Sequence, residues 1–257
     1  MISRTNSETS DRYLTLLKHC LTRYLFVDEE IPPGSPDRKV RLDELRKRRA
    51  VGRDWPPTAE TMAGLVRLDN VQTCVTRAVF DHVPGDLLEA GVWRGGATIL
   101  MRALLDVLGD TSRSVWIADS FEGLPVPDTD RYPADAREDL SGHDELAVDL
   151  QTVRENFERY GLLDERVLFL PGLFKNTLRD APIDRLSVLR VDGDYYESTM
   201  DVLVNLYPKV SPRGFVIIDD YSLDPCREAV LDYRAKHAID DPMIEVDWTG
   251  IYWRKGG

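Results

Sequence analysis

From residue 85 onward, short apolar segments alternate with segments of helical periodicity, and this alternation constrains the fold more than any other feature. The predicted strands are 86–90, 114–118, 166–170, 186–191 and 214–218, with two further apolar runs at 243–246 and 250–254. Strands that are apolar on both faces and separated by helices form a mostly parallel sheet with helices on both faces. The last two runs predict a closing antiparallel hairpin. The sequence therefore predicts an α/β fold, in which ligands bind beyond the carboxyl ends of the strands.

The first 80 residues lack this alternation. We predict that residues 1–80 form an N-terminal helical and lid segment of the same domain, and that residues 81–257 form the core. Apolar periodicity predicts helices at 13–26 and 58–79. The connection between them contains five prolines and a basic run, and we expect it to be irregular apart from a short helix near 42–49. A connection of this length is typical of a lid or a binding loop.

Charge and composition exclude several classes of partner. Lys and Arg total 33 and Asp and Glu total 45, which gives a formal net charge of −12. This excess of acid argues against a nucleic-acid-binding surface and a polybasic membrane anchor, because both need clustered cations. No apolar run has the length of a transmembrane helix, and residues 1–11 lack the apolar core of a signal peptide. The three scattered cysteines suggest neither a disulfide framework nor a zinc site, so we expect a cytoplasmic protein.

The first predicted strand runs into a glycine-rich turn with the sequence EAGVWRGGA. Gly91 lets a ligand approach the backbone closely, and the helix that follows offers free N–H groups to an anion. The spacing matches neither the dinucleotide-binding fingerprint nor the phosphate loop of nucleotide hydrolases. A turn that needs its glycines only for strand–helix packing is the alternative interpretation.

The next two strands also end in candidate ligand-binding residues. Asp119 ends the second predicted strand, where a carboxylate can accept both hydroxyls of a ribose; the alternative is an aspartate that caps a turn. Gly172 and Phe174 follow the third strand and are candidates for flanking an adenine ring, with a place in the core as the alternative for Phe174.

Aspartates follow the fourth and fifth predicted strands, in the motifs VDGD and IDD. If these strands are neighbours, Asp192, Asp219 and Asp220 converge at one end of the sheet. Adjacent carboxylates repel unless protons or a cation neutralise them, and oxygen ligands favour a hard cation such as Mg²⁺. The sequence therefore predicts a divalent cation site, with helix-capping aspartates that face solvent as the alternative. Asp194 is the candidate general base.

Taken together, these motifs resemble those of the macrocin-type sugar O-methyltransferases, which act on deoxysugars of antibiotics. The resemblance covers roughly residues 11–254. It is carried by EAGVWRGGA, ADSFEGL, VRENFERYGLL, RVDGD and IIDDY. It implies a Rossmann-like class I methyltransferase with seven strands, S-adenosyl-L-methionine as the methyl donor, an essential Mg²⁺ and a sugar hydroxyl as the acceptor.

The resemblance also assigns roles by position. It implies metal ligands at Asp192, Asp219 and Asp220, and Asp194 as the base. The cofactor residues that it implies are Thr61, Met62, Glu89, Gly91, Asp119 and Ser120. Residues 27–57 and 125–148 match least well, so we expect them to be lids that face the acceptor.

The sequence is compatible with two classes of acceptor and with two roles for the basic run. The acceptor is either a free nucleotide sugar or a glycosylated natural product, and the basic run at 38–53 either receives a diphosphate or is a solvated or subunit-facing surface. We also expect a homo-oligomer. The rival functions are a catechol- or caffeoyl-type phenolic O-methyltransferase and a non-catalytic S-adenosylmethionine-binding module. A nicotinamide oxidoreductase is the weakest rival.

Overall fold

The structure of the protein is a computed structural model that describes residues 4–256, with side chains from residue 8. The strands are β1 (Asp86–Ala90), β2 (Val115–Asp119), β3 (Val167–Pro171), β4 (Leu186–Val191), β5 (Val210–Ile218), β6 (Ile244–Glu245) and β7 (Ile251–Arg254). They form one seven-stranded sheet in the order β3-β2-β1-β4-β5-β7-β6. β1 to β5 pair in parallel, and β7 is antiparallel to both β5 and β6. The predicted α/β fold and its closing hairpin are confirmed.

Helices cover both faces of this sheet. They are α1 (Arg4–Leu21), α2 (Arg38–Ala50), α3 (Gly64–Phe80), α4 (Gly96–Val107), α5 (Leu150–Arg159), α6 (Phe174–Thr177), α7 (Tyr196–Leu206) and α8 (Asp224–Lys236). Alternate strand residues enter opposite apolar cores, because side chains of a strand alternate between its faces. Leu87 packs with α1, α3, α4 and α5, whereas Leu88 packs with α7 and α8. Within the described residues, no helix is both long enough and apolar enough to cross a membrane.

Helix boundaries in the N-terminal segment differ from the sequence-based prediction. The helix predicted at 58–79 begins only at Gly64. Residues before it bond elsewhere: the Glu60 N–H donates to the carbonyl of Leu21 at 2.9 Å, and the Glu60 carbonyl accepts from the Gly96 N–H at 2.8 Å. Tertiary hydrogen bonds to the end of α1 and the start of α4 thus replace the first turns of the expected helix.

Two adjacent side chains in the turn between β1 and α4 bond to the two long loops that contain the predicted lids, around residues 56–59 and 145. Trp93 Nε1 donates a hydrogen bond to the carbonyl of Glu145 at 2.8 Å. Arg94 Nη1 donates to the carbonyls of Pro57 at 2.9 Å and Ala59 at 3.0 Å. Because this turn follows the carboxyl end of β1, both loops are held over the edge of the sheet where ligands bind in α/β folds.

Replacing Arg94 by alanine is expected to loosen the segment around residues 56–59 while the sheet stays folded. Each hydrogen bond from a charged donor contributes about 1.5–3 kcal/mol, so loss of the two should lower the unfolding free energy by no more than about 6 kcal/mol. Limited trypsin digestion after Arg53 should become faster than in the wild type. Arg12→Ala, which alters an exposed residue of α1, is the control. Unchanged cleavage in Arg94→Ala would show that Arg94 does not anchor this segment.

Candidate active site

A cavity of about 350 Å³ lies at the carboxyl ends of the parallel strands. Its lining combines residues that follow the strands with residues of both predicted lids. The strand-end residues include Gly91, Asp119, Leu173, Phe174, Asp192, Asp194, Asp219 and Asp220. The predicted lids contribute Gly52, Trp55, Pro125, Leu140 and Leu146. The two lids also meet each other, because the rings of Trp55 and His143 lie 5.1 Å apart in an edge-to-face contact.

The glycine turn after β1 is in direct contact with the end of β4. Gly91 has a φ of +86°, and a Cβ at this position would overlap the carbonyl oxygen of Asp192. The Asp192 N–H in turn donates to the carbonyl of Ala90 at 2.8 Å. Gly91 therefore satisfies a packing requirement between two strands and also borders the cavity.

Asp119 organises the turn that follows β2. Its Oδ2 accepts from the Val92 N–H at 2.7 Å, and its Oδ1 accepts from the Phe121 N–H at 2.9 Å. Burial raises the pKa of Asp119, although these N–H groups oppose that shift. Ser120 lies beside it on the cavity wall and donates to the carbonyl of Gly123 at 2.7 Å. Asp119 thus caps a turn and also presents its carboxylate to the cavity.

The other predicted cofactor residues divide into two groups. Met62 and Phe174 line the cavity. Glu89, Thr61 and Gly172 are outside the lining. Glu89 is buried beneath it, and Thr61 Oγ1 accepts a hydrogen bond from the Ala63 N–H. The Gly172 N–H donates to the carbonyl of Asp119, at the end of β2. These three residues therefore do not border the cavity.

The three predicted metal ligands lie close together. β4 and β5 are neighbours, with Val191 paired to Ile218, so the aspartates that follow the two strands meet. Asp192, Asp219 and Asp220 each offer a carboxylate oxygen, and these oxygens lie within 4.8 Å of one another. Asp220 Oδ2 is buried and has no hydrogen-bond partner. An all-oxygen donor set with an unpartnered buried oxygen fits a hard divalent cation.

The carboxylates of this cluster differ in their tendency to ionise. Burial raises the pKa of Asp220 well above its usual range, and the nearby charges of Asp192 and Asp194 raise it further. Burial is the largest influence on Asp192 and disfavours its charged form, but Arg190, Arg67 and the neighbouring carboxyl of Asp220 together outweigh it and lower the pKa of Asp192. A cation at the cluster would neutralise the carboxylates that now repel one another.

Arg190 lies directly beneath the cluster, on β4, with only 2% of its surface exposed. Its guanidinium pairs with Asp192 at 2.7 Å and forms further ion pairs with Glu89 and Asp219. Burial raises the pKa of Glu89 to about 8, and Arg190 acts against that shift. The side chain of Glu89 is therefore engaged below the cavity wall.

Two buried arginines at the site, Arg190 and Arg67, were not predicted from the sequence as site residues. Like Arg190, Arg67 pairs with Asp219. An arginine within a strand of apolar residues was a usable signal for Arg190, because a buried cation is costly without partners. Arg67 lies on α3, and its spacing there gives no indication of the site.

Asp194 lines the cavity close to the cluster. Its φ of +54° is in the left-handed region, which is uncommon for residues other than glycine and costs about 1–3 kcal/mol. Burial, followed by the charges of Asp192 and Asp219, raises the pKa of Asp194 to about 8. The strained backbone conformation places this carboxyl at the cavity surface beside the proposed ligands.

Comparison with known proteins gave consistent similarities over nearly the whole chain. A family model described as Macrocin-O-methyltransferase (TylF) matches residues 10–255. The 8-demethyl-8-(2,3-dimethoxy-alpha-L-rhamnosyl)-tetracenomycin-C 4'-O-methyltransferase of Streptomyces olivaceus is 54% identical over 252 residues, which cover 96% of this chain and 94% of the relative. Mycinamicin III 3''-O-methyltransferase of Micromonospora griseorubida is 48% identical, over 95% of this chain and 96% of the relative. The structure of the O-methyltransferase NovP matches with a TM-score of 0.87 and 48% identity, over 96% of this chain and 100% of that chain.

Replacing Arg190 by methionine is expected to destabilise the fold by about 3–5 kcal/mol, because the change leaves buried carboxylates without their cation. Urea unfolding in the absence of divalent cations measures this loss. Arg185→Met is the matched control, since the side chain of Arg185 is 60% exposed. Equal stability of Arg190→Met and the wild type would show that the buried pairs do not hold this end of the sheet.

Proposed function

The chain belongs to the macrocin O-methyltransferase family, and from that premise we propose that it is a Mg²⁺-dependent, S-adenosylmethionine-dependent O-methyltransferase of antibiotic biosynthesis. Its proposed acceptor is a hydroxyl of a deoxysugar in a glycosylated natural product. The observation that carries the proposal is the meeting of three carboxylate oxygens within 4.8 Å in the cavity that the Gly91 turn and Asp119 also border.

We propose that Gly91, Asp119 and Ser120 contact the methyl donor directly, together with Met62 and Phe174. All five residues border the cavity. S-adenosylmethionine, when bound, supplies a methyl group that is activated by a sulfonium centre. Asp119 is placed at the end of β2, where an acidic residue accepts ribose hydroxyls in nucleotide-binding α/β folds. The proposed roles of Thr61, Glu89 and Gly172 are indirect, because these residues are outside the cavity lining.

We propose that Asp192, Asp219 and Asp220 would hold Mg²⁺. When bound, the cation would lower the pKa of a sugar hydroxyl beside it. Asp194 would accept the proton of that hydroxyl, because it borders the same cavity. Burial and the neighbouring carboxylates raise its pKa to about 8 in the metal-free protein, and the charge of a bound cation would lower that pKa and favour the carboxylate that accepts a proton. A positioned general base contributes about 10²–10⁴-fold to the rate. The two lids enclose the acceptor and orient the hydroxyl toward the methyl group.

The cavity lining favours a glycosylated product over a nucleotide sugar. Among the described residues, the cations in the lining are Arg67 and Lys175, and both are paired with carboxylates: Lys175 Nζ lies 3.3 Å from Glu197 Oε1. A diphosphate would therefore meet no unpaired side-chain cation in this lining. The outer wall carries Trp55 and Trp248, which are 48% and 44% exposed and fit an apolar aglycone. The Streptomyces relative is likewise named for a rhamnosyl-tetracenomycin.

The basic run at 38–53 has partners of its own, which supports the same choice. Arg49 is buried and pairs with Glu30 at 2.9 Å and Asp54 at 2.6 Å. Arg38 donates to the carbonyls of Asp28 and Ile31. These contacts hold α2 to the segment before it, so they agree better with a structural role for the run than with a diphosphate site.

Asp220→Asn is expected to abolish activity without loss of stability. The change removes a proposed ligand, and turnover should fall at least about 100-fold, because a metal ion contributes several kcal/mol of charge stabilisation. It also removes one of several repelling carboxylates, so urea unfolding without Mg²⁺ should show equal or higher stability. Affinity for S-adenosylhomocysteine, measured by calorimetry, should be unchanged.

Asp240→Asn, at an exposed acid outside the cavity, is the control for this variant. Wild-type enzyme treated with a chelator should lose activity and regain it on addition of Mg²⁺. Full activity after chelation would contradict the metal role.

The acceptor class is tested with two forms of one deoxysugar. We expect kcat/KM for the glycosylated product to exceed that for the nucleoside diphosphate sugar by at least about 100-fold, because the lining offers a diphosphate no unpaired side-chain cation. Trp248→Ala should reduce this preference, and Phe80→Ala, which removes an exposed aromatic ring on α3, should not. Faster turnover of the nucleotide sugar would overturn the choice of acceptor.

A further inference from the structure

Arg67 is a buried arginine of α3 whose guanidinium contacts three other parts of the chain. It forms an ion pair with Asp219 at the end of β5. Its Nε lies 3.3 Å from Oδ2 of Asp247, in the turn before β7. Its Nη2 donates to the carbonyl of Gly52, in the first lid, at 3.3 Å. The proposed catalysis assigns no role to the side chain of Arg67.

The side chain of Arg67 is tightly enclosed by these segments. Gly52 has a φ of +60°, and a Cβ there would overlap Nη2 of Arg67. A Cβ at Gly250 would lie 3.3 Å from Cδ of Arg67. Both segments therefore pack on the arginine at glycine positions, and a displacement of the guanidinium must displace them as well.

These two segments form one side of the cavity, which we call the tryptophan wall and define as Gly52, Trp55, Trp248 and Thr249. The halves of the wall are joined, because Trp248 Nε1 donates to the carbonyl of Val51 at 2.8 Å. The guanidinium of Arg53 also stacks on the Trp248 ring, 4.8 Å from its centroid. Thr249 Oγ1 donates to the main-chain carbonyl of Asp219 at 3.0 Å, whereas Arg67 reaches the carboxylate of that residue.

The carboxylate of Asp219 is shared between two guanidiniums. Arg67 contacts Oδ2 and Arg190 contacts Oδ1. A divalent cation that takes Asp219 as a ligand must share this carboxylate with Arg67, and the two like charges repel each other. Binding of the cation therefore weakens the ion pair between Arg67 and Asp219. By the same free energy, this ion pair weakens binding of the cation.

We propose that Arg67 is a positioning residue that competes with the divalent cation for Asp219. Through its contacts with Gly52 and Asp247, Arg67 couples the occupancy of the cation site to the mobility of the tryptophan wall. Cation binding weakens the Arg67–Asp219 pair, and the wall becomes looser and opens for the acceptor. The inference rests on the proposed function, because it requires the cation at the aspartate cluster. It predicts that the cation prepares the acceptor side of the cavity before the acceptor arrives.

The charge and the shape of the side chain can be separated by two substitutions. Arg67→Met removes the competing charge, so Mg²⁺ should bind the complex with S-adenosylhomocysteine about fivefold more tightly or better, the lower end of usual couplings between sites. Arg67→Lys keeps the charge, so Mg²⁺ affinity should stay near that of the wild type. An ammonium lacks the planar fork that reaches Asp219, Asp247 and Gly52 together. Both variants should therefore leave the tryptophan wall loose and open, so KM for the acceptor should fall to or below the wild-type value while kcat changes less.

Hydrogen exchange gives a second readout that needs no turnover. In the wild-type complex with S-adenosylhomocysteine, saturating Mg²⁺ should speed amide exchange in residues 51–55 and 247–250 by about fivefold. In Arg67→Met, exchange there should be fast already and should not respond to Mg²⁺. Arg77→Met, which alters an exposed arginine on the same helix, should behave like the wild type in calorimetry and exchange.

Two results would overturn the inference. One is a Mg²⁺ affinity in Arg67→Met that equals or falls below that of the wild type, as a merely structural arginine would give. The other is a wild-type wall whose exchange does not respond to Mg²⁺ that calorimetry shows to be bound. If the wild type binds no Mg²⁺, both this inference and the metal part of the proposed function fail. If Arg67→Met does not fold, the response of wild-type exchange in residues 51–55 and 247–250 to bound Mg²⁺ decides the question.

Discussion

The arrangement of the site depends on one buried guanidinium, that of Arg190. It lies within β4 and pairs with acids that follow or belong to three neighbouring strands, β1, β4 and β5. Carboxylates at this depth repel one another and lose their hydration, so they need a permanent cation in the metal-free protein. Arg190 supplies that charge from below, which leaves the upper side of the cluster open to the cavity. The strands can therefore end in acids without opening the sheet.

A second constraint is that residues of the glycine-rich turn after β1 also hold the two predicted lids. Trp93 and Arg94 lie two and three residues after Gly91, and each bonds to the backbone of a different loop. The proposed donor site and the enclosure of the acceptor are thus parts of one connected structure. Arg67 makes a comparable connection on the other side of the cavity, between the aspartate cluster and the tryptophan wall. Local changes at either proposed ligand site are therefore placed to reach the segments that we propose enclose the acceptor.

Predictions from sequence were accurate where local periodicity decides structure. β1 and β4 have the predicted bounds, and the resemblance to the macrocin-type methyltransferases is confirmed. The predicted start of α3 at residue 58 was wrong. The backbone N–H groups of residues 60 and 61 donate to the carbonyl of Leu21 at the end of α1, and the helix begins only at Gly64. The three aspartates do meet, as neighbouring parallel strands require. Their role as metal ligands and the roles of the proposed cofactor residues stay predictions.

The sequence by itself determined which residues stand at the carboxyl ends of the strands. Parallel strands present those ends at one edge of a sheet, so acids that follow apolar runs must gather there. Only the tertiary structure decided which cations neutralise them and which loops enclose them. Arg67 and Asp219 are 152 residues apart in the chain, and no local pattern links them. Their contact depends on how α3 packs over β5, and packing of that kind is set by the whole core rather than by any short stretch of sequence.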